Sequence, residues 1–206
     1  MDLVEFFQSG GNFMYAILVV FAVGIAIALE RLTVIMATQA KTNSLWKQLT
    51  PMLKAKDLAR ADALLQKKDS PLSRVLQYGL AKIRRNAKRE SVESAMEEGI
   101  MEVMPKLEQR THYLATLANI ATLLGLLGTI IGLIQAFTAV ASADPAEKAD
   151  LLSASISVAM NTTAFGLTAA IPLILIHSFI ATKTSRLVDN IEMATVKCLN
   201  LITDED

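Results

Sequence analysis

Three long runs of apolar residues set the pattern of this chain. They extend from about Phe13 to Ile35, from about Leu117 to Val140 and from about Ile156 to Ile180. Each run supplies the roughly 20 apolar residues that an α-helix needs to cross a bilayer. Between the first two runs, apolar residues recur every three or four positions, which is the spacing of amphipathic helices. The pattern predicts an all-α membrane protein with three transmembrane helices and long helical extensions outside the membrane.

The segment between the first two runs contains signals for several helix boundaries. Asp57 is suited to cap a helix over residues 58–67, and Ser70-Pro71 combines a capping residue with proline at the first helical position. A further helix is predicted to start near Ser91 and to run straight into the second apolar run. Pro105 is expected to kink that helix near the membrane surface.

The distribution of lysine and arginine predicts the orientation in the membrane. The 20 basic residues equal the 20 acidic ones in number, but most of the basic residues follow the first apolar run. Nothing basic precedes Arg31, and the link between the second and third runs is mainly acidic. The positive-inside rule therefore predicts that the N-terminus lies outside and that the large loop and the C-terminus lie inside.

Composition offers little material for catalysis. The chain has two histidines and a single cysteine, Cys198, so no disulfide can form within it. No metal-ligand spacing, nucleophile motif, phosphate loop or dinucleotide fingerprint is present. We therefore expect no enzyme activity, no catalytic residue, no metal site and no cofactor.

A basic cluster in the large loop could bind either nucleic acid or anionic lipid. Its members are Lys82, Arg84, Arg85, Lys88 and Arg89. Because no aromatic residues are interleaved to stack bases, nucleic acid is not expected as a partner. The favoured interpretation is a solvated helix face opposite the anionic headgroups of membrane lipids.

Small and hydroxyl-bearing residues form a stripe on each of the last two predicted spans. Their spacing of three and four puts each set on one helix face. The second span carries Ala118, Thr122, Gly125, Thr129, Gly132 and Ala136, and the third carries Ser155, Ala159, Thr162, Gly166 and Ala169. Pro172 adds an expected kink. Gly128-x-x-x-Gly132 is typical of close helix packing, whereas hydroxyls at this depth also suit a pore lining. Both interpretations stay open.

Two adjacent charges mark the inner end of the first span. Glu30 and Arg31 follow a run without charged residues. The two side chains could pair with each other or with a neighbouring subunit, and charge at the membrane interface is the expected role.

Several motifs together resemble the MotA/TolQ/ExbB ion-channel family, and its three-span ExbB/TolQ branch in particular. The clearest are residues 123–137 (LLGLLGTIIGLIQAF) and residues 162–172 (TTAFGLTAAIP). Residues 70–80 (SPLSRVLQYGL) and the Glu30-Arg31-Leu32 ending of the first span are also similar to that branch. The resemblance extends over nearly the whole chain.

The resemblance implies an ion-driven motor. Members assemble as homopentamers around two copies of a single-span partner of the ExbD/TolR/MotB type, whose aspartate takes up and releases the ion. Thr129 and Thr163 match the two pore threonines of the family. A TonB- or TolA-like effector would carry the output to the cell envelope. The transported ion would be H⁺ or Na⁺, and no other cofactor is implied.

One position departs from the pattern of the family. ExbB and TolQ usually carry a glutamate five residues before the threonine that matches Thr163, and here that residue is Val158. The titratable carboxylate is therefore expected to come from the partner. Thr162 adds a second hydroxyl where many members have alanine, and this extra oxygen would suit sodium.

The resemblance also gives the predicted segments their locations in a bacterial inner membrane. We predict a periplasmic N-terminus (1–12), a first transmembrane helix (13–36), a cytoplasmic helical domain (37–112), a second transmembrane helix (113–141), a periplasmic hairpin (142–151), a third transmembrane helix (152–181) and a cytoplasmic C-terminal helix (182–206). The alternative function is a non-conducting membrane scaffold, in which the stripes only pack helices.

Overall fold

Six helices account for nearly all of the described chain. The computed structural model describes residue 7, residues 10–85 and residues 87–203. The helices are α1 (Phe13–Lys54), α2 (Leu58–Lys67), α3 (Pro71–Ile83), α4 (Arg89–Glu108), α5 (Thr111–Ser142) and α6 (Lys148–Thr203). No strand occurs in these described ranges. Of the predicted N-terminal segment 1–12, only Phe7 and residues 10–12 are described, and the remainder lies outside the described residues.

Three helical stretches are long and apolar enough to cross a membrane. They lie within Phe13–Lys54, Arg89–Ser142 and Lys148–Ile202. Helix α6 alone has 56 residues, so at 1.5 Å per residue it is about 84 Å long, far more than one bilayer thickness. The predicted all-α architecture with three membrane-spanning helices is confirmed.

The chain divides into two compact units. The first comprises Met1–Glu30 and Arg110–Phe179, and so contains the start of α1, the whole of α5 and the first part of α6. Several large apolar side chains of this unit are at least half exposed: Leu126, Ile130 and Phe137 on α5, and Ile171 and Leu175 on α6. A soluble surface rarely shows so much contiguous apolar area, and these outward faces suit lipid.

The second unit comprises Arg31–Gln109 and Ile180–Asp206. Its short helices begin where the sequence predicts. The Asp57 side chain accepts a hydrogen bond from the Arg60 backbone N–H at 3.1 Å. Ser70 and Ser73 form a reciprocal capping box ahead of Pro71. Both predicted caps are confirmed.

Helices α3 and α4 pack closely and run antiparallel. Gly79 lies against the side chain of Met96, and a Cβ on Gly99 would lie 3.0 Å from the Cα of Val75. Since that neighbour is a backbone atom, the crossing requires glycine at residue 99. A hydrogen bond connects the end of α4 to the part of α1 where this unit begins. The Arg31 guanidinium donates to the Leu107 carbonyl at 2.6 Å.

One expectation about this region was wrong. The helix that starts at Arg89 does not run straight into the second span. It continues past Pro105, ends at Glu108, and is interrupted at Gln109-Arg110, where Arg110 has the left-handed φ of 64°. The break lies beyond the proline because a left-handed residue ends helical geometry at once, whereas proline removes a single hydrogen bond.

The structure places the basic cluster at one end of the second unit. Residues 82–85 lie at the end of α3, about 20 Å along it from its cap at Ser70, and residues 88 and 89 lie at the start of α4. Since α4 returns from there to Leu107 beside Arg31, the cluster lies at the end of this unit that is remote from Arg31. Its expected role opposite lipid headgroups stays a prediction.

Candidate functional site

Helices α5 and α6 are held together by a seam of small residues. A Cβ on Gly125 would lie 3.3 Å from the Cα atoms of both Gly166 and Thr163. A Cβ on Gly166 would lie 2.8 Å from the carbonyl oxygen of Ala121. The neighbours are backbone atoms, which cannot rotate away. The two helices therefore touch backbone to backbone, as small-xxx-small packing allows.

The seam continues along both helices in opposite directions. Gly128 lies against the methyl group of Thr162, and a Cβ on Gly132 would lie 2.7 Å from the Cβ of Ala159. Gly125, Gly128, Gly132, Ala159 and Gly166 are all buried within the single chain. These residues serve contact between α5 and α6 here.

Thr163 links the two helices by a hydrogen bond. Its hydroxyl donates to the carbonyl oxygen of Gly125 at 2.8 Å, 38 residues away in sequence, and its side chain is half-buried. A hydroxyl has one proton and two lone pairs. Because the proton is used by Gly125, the oxygen retains its capacity to accept a hydrogen bond or to coordinate a cation.

Thr129 lies beside the seam, four residues and about 6 Å along α5 from Gly125. Its hydroxyl donates to the Leu126 carbonyl of its own helix at 2.6 Å, and the side chain is half-exposed. Thr129 thus has the same hydrogen-bonding state as Thr163: the proton is bound by a backbone carbonyl, and the oxygen can still accept. The two hydroxyls lie within about one helical turn of each other in depth.

Thr162 is in a different environment. It is only 2% exposed, and its hydroxyl lies 2.6 Å from the Gly10 carbonyl and 2.9 Å from the Val158 carbonyl. One hydroxyl proton is shared between these two acceptors. Of the three threonines predicted for the ion pathway, this one is enclosed by protein.

The partner of Thr162 is a turn that the sequence analysis did not identify. Gly10-Gly11 precedes α1, and Gly11 has the left-handed φ of 72°, which glycine adopts without strain. A Cβ on Gly11 would lie 3.5 Å from Cγ1 of Val158. The position where relatives of the ExbB/TolQ branch are expected to carry glutamate is therefore covered by this turn. In the sequence, the adjacent glycines Gly10 and Gly11 were the signal from which this turn could have been predicted.

The remaining predicted residues lie apart from these hydroxyls. Glu30 forms an ion pair with Arg110 of the same chain at 3.7 Å, and both side chains are partly exposed. Arg31 is 3% exposed and bonded to Leu107. Pro172 is half-buried inside α6, which continues through it. The sequence analysis did not identify Arg110 as a partner of Glu30, and the expected pairing of Glu30 with Arg31 or with a neighbouring subunit stays a prediction.

The chemistry of the site is limited to hydroxyls and carbonyls. The sequence has no acidic residue between Asp150 and Asp189, nor between Glu108 and Asp144. Among the described residues, no group of three or more histidine, cysteine, aspartate or glutamate side chains could hold a metal ion. Within the two spans, this chain can offer oxygen lone pairs, but it cannot take up and release a proton on a carboxylate.

Comparison with known proteins yields consistent relatives. Residues 67–193 match the model of the MotA/TolQ/ExbB proton channel family. A protein of Methanothermobacter thermautotrophicus, whose name describes it as a homolog of the biopolymer transport protein ExbB, is 30% identical over 193 residues, which are 93% of this chain and 67% of that protein. The Tol-Pal system protein TolQ of Haemophilus influenzae is 34% identical over 84 residues, which are 41% of this chain and 36% of TolQ.

Proposed function

The chain belongs to the MotA/TolQ/ExbB proton channel family and is an integral membrane protein, and we propose that it is the ion-conducting stator subunit of an inner-membrane motor. In this proposal the proton motive force, or a sodium gradient, drives mechanical work through a single-span partner. The work would energise transport or another process of the cell envelope. The proposed orientation has the N-terminus in the periplasm and the C-terminus in the cytoplasm.

The observation that carries this proposal is the hydrogen-bonding state of Thr129 and Thr163. Both hydroxyls lie in helices that can cross a membrane, and each donates its proton to a backbone carbonyl. Polar groups at this depth are costly unless they meet a partner or water. Their oxygens present lone pairs to an approaching acid or cation without any rearrangement of α5 and α6, because the glycine seam fixes the pair.

The titrating group would come from the partner. A chain without a carboxylate in its second and third spans needs an external one to carry protons. An aspartate on a single-span protein of the ExbD/TolR/MotB type would meet this need when two copies lie inside a homopentamer of this chain. A TonB- or TolA-like protein would then receive the mechanical output.

We propose a proton as the coupling ion. A partner carboxylate can take up a proton without a preformed set of ligands, whereas sodium needs several oxygens at close range. Thr162 would be the extra oxygen for sodium, but its buried hydroxyl is already bonded to Gly10 and Val158. This arrangement leaves too few free oxygens near Thr129 and Thr163 to favour sodium.

The same hydrogen bonds support a second candidate, a non-conducting membrane scaffold. In a scaffold, the bond from Thr163 to Gly125 would serve only to hold α5 against α6. Hydroxyl bonds between membrane helices contribute about 0.6 kcal/mol on average, so a scaffold would tolerate their loss.

Replacement of the hydroxyls without a change in volume separates the two functions. We expect Thr129→Val and Thr163→Val each to abolish ion flux in proteoliposomes that contain the full chain and its co-expressed single-span partner. Matched controls are Thr138→Val on α5 and Thr168→Val on α6, whose exposed hydroxyls also donate to carbonyls of their own helices. These controls should conduct normally, and native mass spectrometry should show intact assemblies for all four variants.

The readout is pH change inside the vesicles, followed with a trapped dye, with sodium replaced by potassium in a parallel series. Thr163→Ser should restore flux because it restores the hydroxyl. Wild-type flux in both valine variants would contradict the pore role and favour the scaffold. Flux that requires sodium and persists with a protonophore would contradict the proton assignment.

A further inference from the structure

A lysine-lined hollow lies in the second unit, beside the part of α1 that follows the predicted first transmembrane helix. Two adjoining cavities of about 430 Å³ and about 230 Å³ share Lys41, Asp69 and Ser70 in their walls. The larger cavity adds Lys67 and Lys68, and the smaller adds Arg74 and Lys106. Five cationic side chains and one carboxylate therefore line these two cavities, which lie between α1, the α2–α3 connection and the end of α4 and are together called the hollow.

The charge in the hollow is only partly balanced. Arg74 lies 3.3 Å from Asp69, and Lys106 lies 3.6 Å from Glu102. Glu102 stays ionised because a hydrogen bond from Tyr78 and the nearby Lys106 lower its pKa. In the described part of the chain, no salt bridge involves Lys41, Lys67 or Lys68. These three exposed ammonium groups give the hollow its net positive potential.

The position of the hollow relative to the bilayer follows from α1. Val34 and Met36 are 39% and 51% exposed, and these apolar side chains lie at the end of the predicted first transmembrane helix (13–36), after the charged pair Glu30 and Arg31. Lys41 follows Met36 on the same continuous helix by five residues, or about 7.5 Å. The headgroup region on each side of a bilayer has a thickness of this order. With the first transmembrane helix ending at residue 36, as the sequence predicts, Lys41 would lie at the depth of lipid phosphates.

We propose that this hollow binds the phosphate-bearing headgroup of an anionic phospholipid, with Lys41, Lys67 and Lys68 as its cationic ligands. Ammonium groups bind phosphate as mobile point charges and need no fixed geometry. The exposed apolar residues just before Thr38 offer acyl chains a surface beside the headgroup, which a free phosphate compound would not use. Basic pockets next to transmembrane helices bind lipid headgroups for this reason. The inference does not depend on ion conduction.

This assignment differs from the lipid-facing role that the sequence suggested for residues 82–89. Those residues lie at the far end of α3, about 20 Å from its cap at Ser70. Ser70, in contrast, lines the hollow. The lysines of the hollow and the basic residues among 82–89 therefore serve as test and control, because the same number of positive charges can be removed from each group.

The test is lipid retention by the full chain, with its charge altered at one group or the other. We would reconstitute it in nanodiscs with equal phosphatidylglycerol and phosphatidylcholine, transfer it to mild detergent, and count retained lipids by native mass spectrometry. The variant with Lys41→Gln, Lys67→Gln and Lys68→Gln is compared with the control carrying Lys82→Gln, Arg85→Gln and Lys88→Gln.

Wild-type protein should retain phosphatidylglycerol in preference to phosphatidylcholine. Each lysine near an anionic lipid surface strengthens binding about fivefold, so removal of three should lower affinity on the order of a hundredfold. The control should stay within about twofold of wild type. The triple replacement of residues 41, 67 and 68 by arginine should retain the lipid, and far-UV circular dichroism checks that each variant folds.

Three outcomes would overturn the proposal. One is equal retention of the two lipids by wild-type protein. Another is an equal loss in the control, which would indicate a general effect of net charge. The third is displacement of phosphatidylglycerol by millimolar inorganic phosphate, together with binding of that phosphate in lipid-free detergent, since the hollow would then bind a free phosphate compound.

Discussion

Gly166→Ala is expected to increase the distance between α5 and α6 and to weaken the hydrogen bond from Thr163 to Gly125. The new Cβ would lie 2.8 Å from the Ala121 carbonyl oxygen and 3.0 Å from the Cα of Gly125. Ordinary contact begins near 3.4 Å, so the helices must move apart by about 0.6 Å. The bond from Thr163 to the Gly125 carbonyl, now 2.8 Å, would then approach 3.4 Å, beyond the normal range.

The magnitude follows from two opposing effects. An extra methyl group in a packed interface costs about 1–3 kcal/mol, whereas alanine is a better helix former than glycine by up to about 1 kcal/mol. The net loss of stability should be about 1 kcal/mol. Gly24→Ala is the matched control, because its Cβ would meet the flexible end of Leu173, 2.6 Å away, which can rotate. We expect the control to change stability by less than about 0.5 kcal/mol.

Two measurements check this prediction. Unfolding in mixed micelles with increasing denaturing detergent gives the stability of each variant, and proteoliposome flux gives the effect on the proposed ion pathway. Gly166→Ala should lower both, and Gly24→Ala should lower neither. A Gly166→Ala protein as stable as wild type would refute the backbone contact, and equal loss in Gly24→Ala would show that any added methyl group disturbs the bundle.

Two further predictions concern residues outside the seam. Thr162→Val should release the Gly10-Gly11 turn from α6 and increase amide hydrogen exchange at residues 10–12, at a cost of about 0.6 kcal/mol, whereas Thr138→Val should leave that exchange unchanged. Cys198 is fully buried, and burial raises the pKa of its thiol to about 12. The thiolate is the reactive form. Maleimide should therefore fail to label the folded protein at pH 8 but label it in denaturant, and this thiol should make the protein less stable as the pH rises from about 9 to about 12.

The elements that local sequence determines were predicted well. The three spans follow from uninterrupted apolar composition, and the caps at Asp57 and Ser70 follow from side chains that bond the backbone within three residues. Such features depend on neighbours in sequence, so a pattern is enough to find them. The break at Arg110 escaped prediction because arginine has no preference for the left-handed conformation that it adopts there.

The features that depend on distant contacts could not be obtained in this way. The hydrogen bond from Thr162 to Gly10 joins residues that are 152 positions apart, and no periodic pattern in the sequence predicts such a contact. The same holds for the lysine hollow, whose cationic side chains come from α1, from the end of α2, from α3 and from α4. The sequence pointed to residues 82–89 because those charges are adjacent in the chain. The structure instead places together charges from four separate segments.

The hydrogen bonds at Thr129 and Thr163 restrict what this chain can contribute to the proposed motor. Each hydroxyl proton is held by a carbonyl at 2.6 or 2.8 Å, so neither threonine is a ready donor to a partner carboxylate. Each oxygen can accept, which favours a protonated carboxyl group over an ionised one, since an ionised carboxylate has no proton to give. The hydroxyls would thus stabilise the neutral state of a partner aspartate while it faces the membrane interior. With no carboxylate in these two spans, the carboxyl group that carries the proton in the proposed motor would be the partner's.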